Sequence, residues 1–361
     1  MTTARRDLLD LSRPGWVHCV SRCVRRAFLC GDGFEHRKAW IEERIRLLSG
    51  CFAVEVAGFA VMSNHLHVVL RFDPQGPMAW SAEDLVLRWL TAYPPETFAD
   101  GSPKLPDAAV ITELAKDHEL VEKARKRLGD LSWFMKALKE PISRRANRED
   151  GCRGTFWEGR FRSTALLDHA AVIAAMVYVD LNPIRAQVVK TPEASAGTSV
   201  AARATARNRH RAAVRVRQRA NSAAQAENAL KTSGVESATT PETGLWIASM
   251  ERCRIDAGLP GPSQVATLTP DDYLTLVDIS GRIVRAGKKG AIPPELASIL
   301  ARLDLKVEDW VDFLLSPRQL LGAALGTLAS RMAEATRRGV EWVRNYCRLF
   351  AGSPAEAKRA A

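Results

Sequence analysis

Two histidines, His65 and His67, stand one residue apart in the apolar run VMSNHLHVVLRF at residues 61–72. A strand's period of two puts both on one face with Val69 and Arg71, and turns Leu66, Val68 and Leu70 towards a core. Two imidazoles side by side can point at one metal ion, and they can equally be buried, hydrogen-bonded histidines. The residue types leave both open. A third donor has to come from elsewhere, and VYVDLNP supplies a candidate pair. Tyr178 and Asn182 are four apart, so they share one helix face near its C-terminal end. An amide oxygen is an acceptable ligand for a hard cation, and with two imidazoles it suits Mg²⁺ or Mn²⁺; three histidines would have pointed to zinc. Tyr178 lies one turn back from that ligand, although a tyrosine in an apolar helix is ordinarily core with its hydroxyl satisfied.

The elements that must hold these residues follow from periodicity. GWVHCVSRCV alternates like a strand, and EHRKAWIEERIRLLSG reads as a helix with Ile41, Ile45 and Leu48 on one face and Gly50 at its stop. CFAVEVAGFAVM and HLHVVLRF are two β-rich runs joined by the polar turn Ser63-Asn64. Residues 73–130 are looser and more charged and read as an insertion. LSWFMKALKEPISRRANR places Leu131, Phe134, Met135, Leu138 and Ile142 on one helical face, with Pro141 expected to kink or end it. GTFWEGRFRSTALL reads as a strand, and DHAAVIAAMVYVDLNP as a helix capped by Asp168 and stopping near Pro183.

Residues 191–242 are rich in Ala, Ser, Thr and Arg and read as a basic, disordered linker. Positions 203–219 carry seven arginines and no acid, a composition that suits either a solvated tail or a grip on phosphates. Apolar periodicity returns over 243–361 as a small helical domain, so three segments are expected: 1–190, 191–242 and 243–361.

The 361-residue chain has a net charge of +11. That balance favours polyanions, nucleic acid first and an anionic membrane second, although many basic proteins are so for solubility alone. No apolar run approaches the ~20 residues that span a bilayer, and the first residues lack the apolar core of a secretion signal. The seven cysteines are scattered without a C-x-x-C pair, which argues against a disulfide framework or structural zinc and fits a reducing cytoplasm.

Three motifs in order, MSNHLHVVLR, GTFWEGRFRS and YVDLNPIRA, together with the opening HCVSRCVRRAFL, resemble the single-tyrosine HUH transposases, and most closely the REP-associated tyrosine transposases. The resemblance covers residues ~15–190. It implies an α+β, ferredoxin-like HUH domain, an antiparallel sheet with helices on one face, followed here by the helical C-terminal domain. It implies that His65, His67 and Asn182 hold Mg²⁺ or Mn²⁺, that Tyr178 is the nucleophile, and that Arg22, Arg160, Arg162 and Arg185 lie near DNA. Trp157 and Phe161 are offered either for stacking of unpaired bases or as core. Ser63 stands where the family usually has proline, and Gln187 where its NPVRAG ends in glycine.

The activity implied is cleavage and rejoining of single-stranded DNA at hairpin-forming repeats through a 5′-phosphotyrosine, by a cytoplasmic monomer or homodimer with no membrane partner. A non-catalytic hairpin-binding descendant is the alternative. A histidine-triad hydrolase is disfavoured because Val69 stands where its third histidine would be, and rolling-circle initiators and relaxases lack the second and third motifs in this arrangement.

Overall fold

The computed structural model describes residues 9–98 and 101–219 and, beyond them, 225, 227–228, 240, 242, 244–253, 268–287, 294–315, 324–341, 343 and 348–350. The chain is mixed α/β and forms two compact units: residues 1–56 with 61–166, and residues 57–60 with 167–361.

The chain opens with strand β1 (Gly15–Arg22), helix α1 (His36–Cys51) and the hairpin β2 (Val54–Val61) and β3 (His65–Phe72), of which residues 57–60 of β2 are assigned to the second unit. Strand β1 runs antiparallel to β3, from Gly15 opposite Phe72 to Arg22 opposite His65. Its other edge takes the late strand β6 (Arg162–Leu166), also antiparallel, giving the order β2-β3-β1-β6. Ile41, Ile45 and Leu48 of α1 are buried, as their spacing predicts. Arg37 is buried with them and reaches Glu149 and Asp150, which ties the start of α1 to the end of helix α5 (Leu131–Glu149).

Residues 73–130, expected to be a loose insertion, are largely helical. Helix α2 (Ala82–Ala92) is capped by Ser81 and α4 (His118–Leu128) by Asp117; α3 (Ala108–Leu114) lies between them, beside a two-residue ribbon of β4 (Glu96–Thr97) and β5 (Pro103–Lys104). Of the two outcomes expected at Pro141, a kink or an end, the helix does not end there. A proline deprives the carbonyl four residues back of its donor; here Arg44 Nε donates to that Ala137 oxygen at 3.1 Å. The freed acceptor is satisfied, and the buried face Leu131, Phe134, Met135, Leu138, Ile142 continues unbroken. The expected strand GTFWEGRFRSTALL is extended only at Arg162–Leu166. Upstream the chain turns, with Gly154 and Gly159 at positive φ, and meets β1's end through one bridge between Cys23 and Trp157.

The second unit begins with helix α6 (His169–Asp180), whose cap Asp168 accepts from Ala171 N at 2.9 Å as the sequence predicts, and the single turn α7 (Asn182–Arg185). Residues 167–190 fall in this second unit. Apart from the half-buried Tyr178, α6 is buried on every side, which requires the enclosure that later helices give it. Helix α8 (Ser199–Arg219) occupies much of what reads as a disordered linker, a correction with a plain cause. Alanine and arginine are strong helix formers, and Asp180 accepts from Val200 N, a donor that a helix start leaves open, and from the Ser199 hydroxyl. Helices α9 (Pro270–Ala286), α10 (Pro294–Ala301), α11 (Val307–Leu315) and α12 (Leu328–Arg338) follow. Among the described residues no helix is long and apolar enough to cross a membrane, and Cys19, Cys23, Cys30, Cys51, Cys152 and Cys253 are free thiols.

Candidate functional site

Residues directly opposite one another in an antiparallel pair share a face of the sheet. The register sets Arg22 opposite His65, Val20 opposite His67, Thr164 opposite His18 and Arg162 opposite Val20. One face of the first unit therefore carries His18, Arg22, His65, His67, Arg162 and Thr164. Of the residues predicted from sequence, His65, His67, Arg22 and Arg162 come together here. The period-two argument for the histidine pair holds: Leu66, Val68 and Leu70 are fully buried on the other side.

His18 was not anticipated. Its Nε2 lies 2.8 Å from His67 Nδ1, and the two rings stack with centroids 5.1 Å apart. His65 and His67 meet edge to face at 4.8 Å, and His65 Nδ1 lies 2.6 Å from Asn64 Oδ1. These bonds limit the tautomers. An amide oxygen only accepts, so His65 carries its proton on Nδ1 and presents a lone pair at Nε2. The same state at His67 follows when its Nδ1–H donates to His18 Nε2. Burial pushes His18 down to about 4, and burial with Arg22 does the same to His65. His67 falls well below the usual histidine value, through burial first and then the charges of His18, His65 and Arg22. All three imidazoles are therefore neutral at neutral pH, and ligation by Nε2 is open to His65, and to His67 in the tautomer in which its Nδ1–H donates to His18. Among the described residues no group of three or more His, Cys, Asp or Glu is arranged as a metal site; the expected donor set is two histidines and an amide.

Beside His65 a pocket of about 260 Å³ is lined by Arg22, Arg26, Asn64 and His65. The loop after β1 forms its wall. Asn64 Nδ2 donates to Arg26 O, Cys23 N to Asn64 O, and Cys30 N to Ser63 O, which fastens this loop to the β2–β3 turn. Gly31 is required there: a Cβ on it would stand 2.6 Å from Ser63 Cβ and Oγ.

Tyr178, Asn182 and Arg185 belong to the second unit, on α6 and α7. Tyr178 is half-buried, with its ring centroid 6.4 Å from that of Phe313. The Arg185 guanidinium lies over the Tyr178 ring, 5.3 Å from its centre, with Nε and Nη2 buried and no hydrogen-bond partner among the described residues. Arg185, expected near DNA, is thus packed on the candidate nucleophile. Burial lowers its pKa, an effect that Tyr178 opposes. Asn182 is 8% exposed, and its Nδ2 has no partner among the described residues. Asp180 between them is fully buried; besides Ser199 and Val200 it accepts from Tyr273 Oη at 2.6 Å, and burial pushes its carboxyl up to about 6 against these donors.

Arg160 and Arg162 are exposed. Trp157 is buried and its Nε1–H donates to Lys139 O at 3.1 Å, and Phe161 is 9% exposed. Of the two roles open to them, core packing requires burial, and both side chains are buried. No sequence signal separates the two; the Lys139 carbonyl that accepts the indole proton is visible only in the fold.

No protein-family model matches the chain, and no curated protein matches it. A solved structure of a REP-associated tyrosine transposase bound to a REP hairpin aligns with 55% of this chain and 82% of its own, at 14% identity and a TM-score of 0.32. That likeness is too slight to carry any chemistry across.

Proposed function

We propose that the protein is a REP-associated-type tyrosine transposase of HUH class, with a ferredoxin-like catalytic layout, that cuts and rejoins single-stranded DNA at hairpins. The observation that supports it most is the histidine face: His65 and His67 neutral, with the Nδ1 of each engaged in a hydrogen bond, beside Arg22 and Arg162. Tyr178 Oη attacks a backbone phosphorus; the bond to the 3′ oxygen breaks, the phosphate stays on the tyrosine, and the 3′ oxygen leaves as a hydroxyl. The phenol proton departs in the same exchange, so the reverse reaction lets a second 3′-OH rejoin the strand. Arg185 holds the Tyr178 ring. His65, His67 and the Asn182 amide oxygen are the residues that would hold Mg²⁺ or Mn²⁺, which supplies charge neutralisation at the phosphate oxygen. Arg22 and Arg162 neutralise backbone phosphates.

The test is a covalent-adduct assay on a denaturing gel, using single-stranded oligonucleotides from hairpin repeats flanking the gene, with Mn²⁺. Wild-type protein is expected to give a DNA-linked band that Tyr178→Phe and His65→Ala both lose. Tight hairpin binding by wild type without an adduct under any divalent ion refutes catalysis and leaves the non-catalytic hairpin-binding reading.

A further inference from the structure

Arg25 and Arg26 follow β1 with φ of 53° and 57°, two successive non-glycine residues in left-handed backbone. Residues with a Cβ avoid that region, and such outliers persist where the surroundings impose them and gather at functional sites. The surroundings here are specific. Asn64 Nδ2 holds the Arg26 carbonyl at 3.1 Å while its Oδ1 holds His65 Nδ1 at 2.6 Å, and Glu158 N holds the Arg22 carbonyl at 2.8 Å. One amide therefore sets both the Arg26 backbone and the His65 ring. The side chains that result, Arg22 and Arg26, line the 260 Å³ pocket with Asn64 and His65. Among the described residues no acid lines it, and neither arginine has an ion-pair partner. A water's share of volume is about 30 Å³, so the space holds a far larger group.

We infer that this pocket is a phosphate subsite, in which Arg22 and Arg26 take one phosphodiester of a nucleic-acid strand without help from a metal ion. Two guanidiniums present planar, paired donors, the geometry that suits phosphate oxygens. The neutral His65 adds no charge of its own, so the affinity rests on the arginines. The inference deepens the transposase reading by placing a neighbouring phosphate of the strand, and it adds Arg26 and Asn64 to the residues that handle DNA. The strained backbone is the device that turns Arg26 into the pocket.

Full-length protein stripped of metal with chelator tests this with two probes: a fluorescent single-stranded hexathymidylate followed by anisotropy, and inorganic phosphate followed by the NMR shifts of the His65 ring. The variants are Arg26→Gly and, as a charge control, the exposed Arg148→Gln. Glycine accepts φ near +57° freely, so R26G is expected to unfold at the wild-type temperature or above it. It is expected to bind the oligonucleotide about tenfold more weakly at low salt and to lose the phosphate-induced shift of His65. R148Q should change affinity less than twofold. Wild-type affinity in R26G overturns the subsite, and so does an equal loss in R148Q, which would mark general charge attraction. A His65 shift with phosphate but no oligonucleotide binding overturns the assignment to nucleic acid. Because no metal and no cleavage enter the assay, its result is separable from the adduct experiment. An adduct from wild type together with unchanged R26G binding sinks the subsite alone.

Discussion

Replacing His18 with phenylalanine keeps a planar ring beside His67 and removes the nitrogen bonded to His67 Nδ1. His18 is 2% exposed and His67 5%, so water does not readily take the vacated place. Leaving a buried polar group without its partner costs about 1–3 kcal/mol. The more apolar ring offsets part of that, and the expected net loss is roughly 1–2 kcal/mol in urea unfolding. The functional effect is separate. In the tautomer in which His67 Nδ1–H donates to His18 Nε2, loss of that acceptor lets His67 sample the state in which Nε2 carries the proton. On the proposed ligation by His67, removing such an outer support lowers metal affinity about 10- to 100-fold, or about 1.4–2.7 kcal/mol. Free Mn²⁺ counted by electron paramagnetic resonance during a titration reads this directly, without DNA. H18F should bind Mn²⁺ more weakly than wild type, and His18→Gln, which can still accept from His67, should recover part of the difference. Equal Mn²⁺ affinity in wild type and H18F would refute the claim that His18 orients His67.

Three further outcomes follow from single contacts. Tyr273→Phe removes the hydroxyl that donates to the buried Asp180 and should destabilise the protein by about 1.5–3 kcal/mol in urea unfolding, shrinking in an Asp180→Asn background; an additive double mutant contradicts the pairing. Asp272 is held down to about 2, chiefly by Arg302 with Thr269 assisting against partial burial. A lowered carboxyl adds stability above its unfolded value, so wild type should exceed D272N by about 1 kcal/mol after solvent screening at pH 7, and the gap should close as pH falls from 4 through 2; a gap that persists at pH 2 is the failing result. Gly31→Ala drives a Cβ against Ser63 and should cost about 1–3 kcal/mol; Ser63→Gly in the same chain should restore most of it, and no rescue would mean the strain is relieved elsewhere.

The histidine pair was legible because strand alternation depends only on neighbours in sequence. The place of Arg22 and Arg162 on the same face, and the role of His18, depend on register between segments far apart in the chain, which no local pattern encodes. His18 stands two residues before Val20 in an alternating run, so its face was readable, but its partner was not. The helix runs on past Pro141 for a similar reason: the local rule frees the Ala137 carbonyl, and Arg44 from another helix supplies its donor. The arginine-rich stretch shows that composition does not separate a disordered tail from a helix when alanine and arginine dominate both. The acceptor of the Trp157 indole proton, the Lys139 carbonyl, lies 18 residues away and is set by the fold.

Helix α8 is a rod of 21 residues, about 31 Å long at ~1.5 Å per residue. Arg203 is anchored inside through Glu242, and Arg209, Arg211, Arg215 and Arg219 stand exposed along its length. A floppy cationic tail must give up about 1–2 kcal/mol of freedom for each backbone unit it fixes on a polyanion. The rod has no such deficit at the outset. Its charges sit at set intervals, so a polyanion has to conform to the protein's spacing, and the number of counterions released on contact is capped by how many of those tips one surface can touch at once.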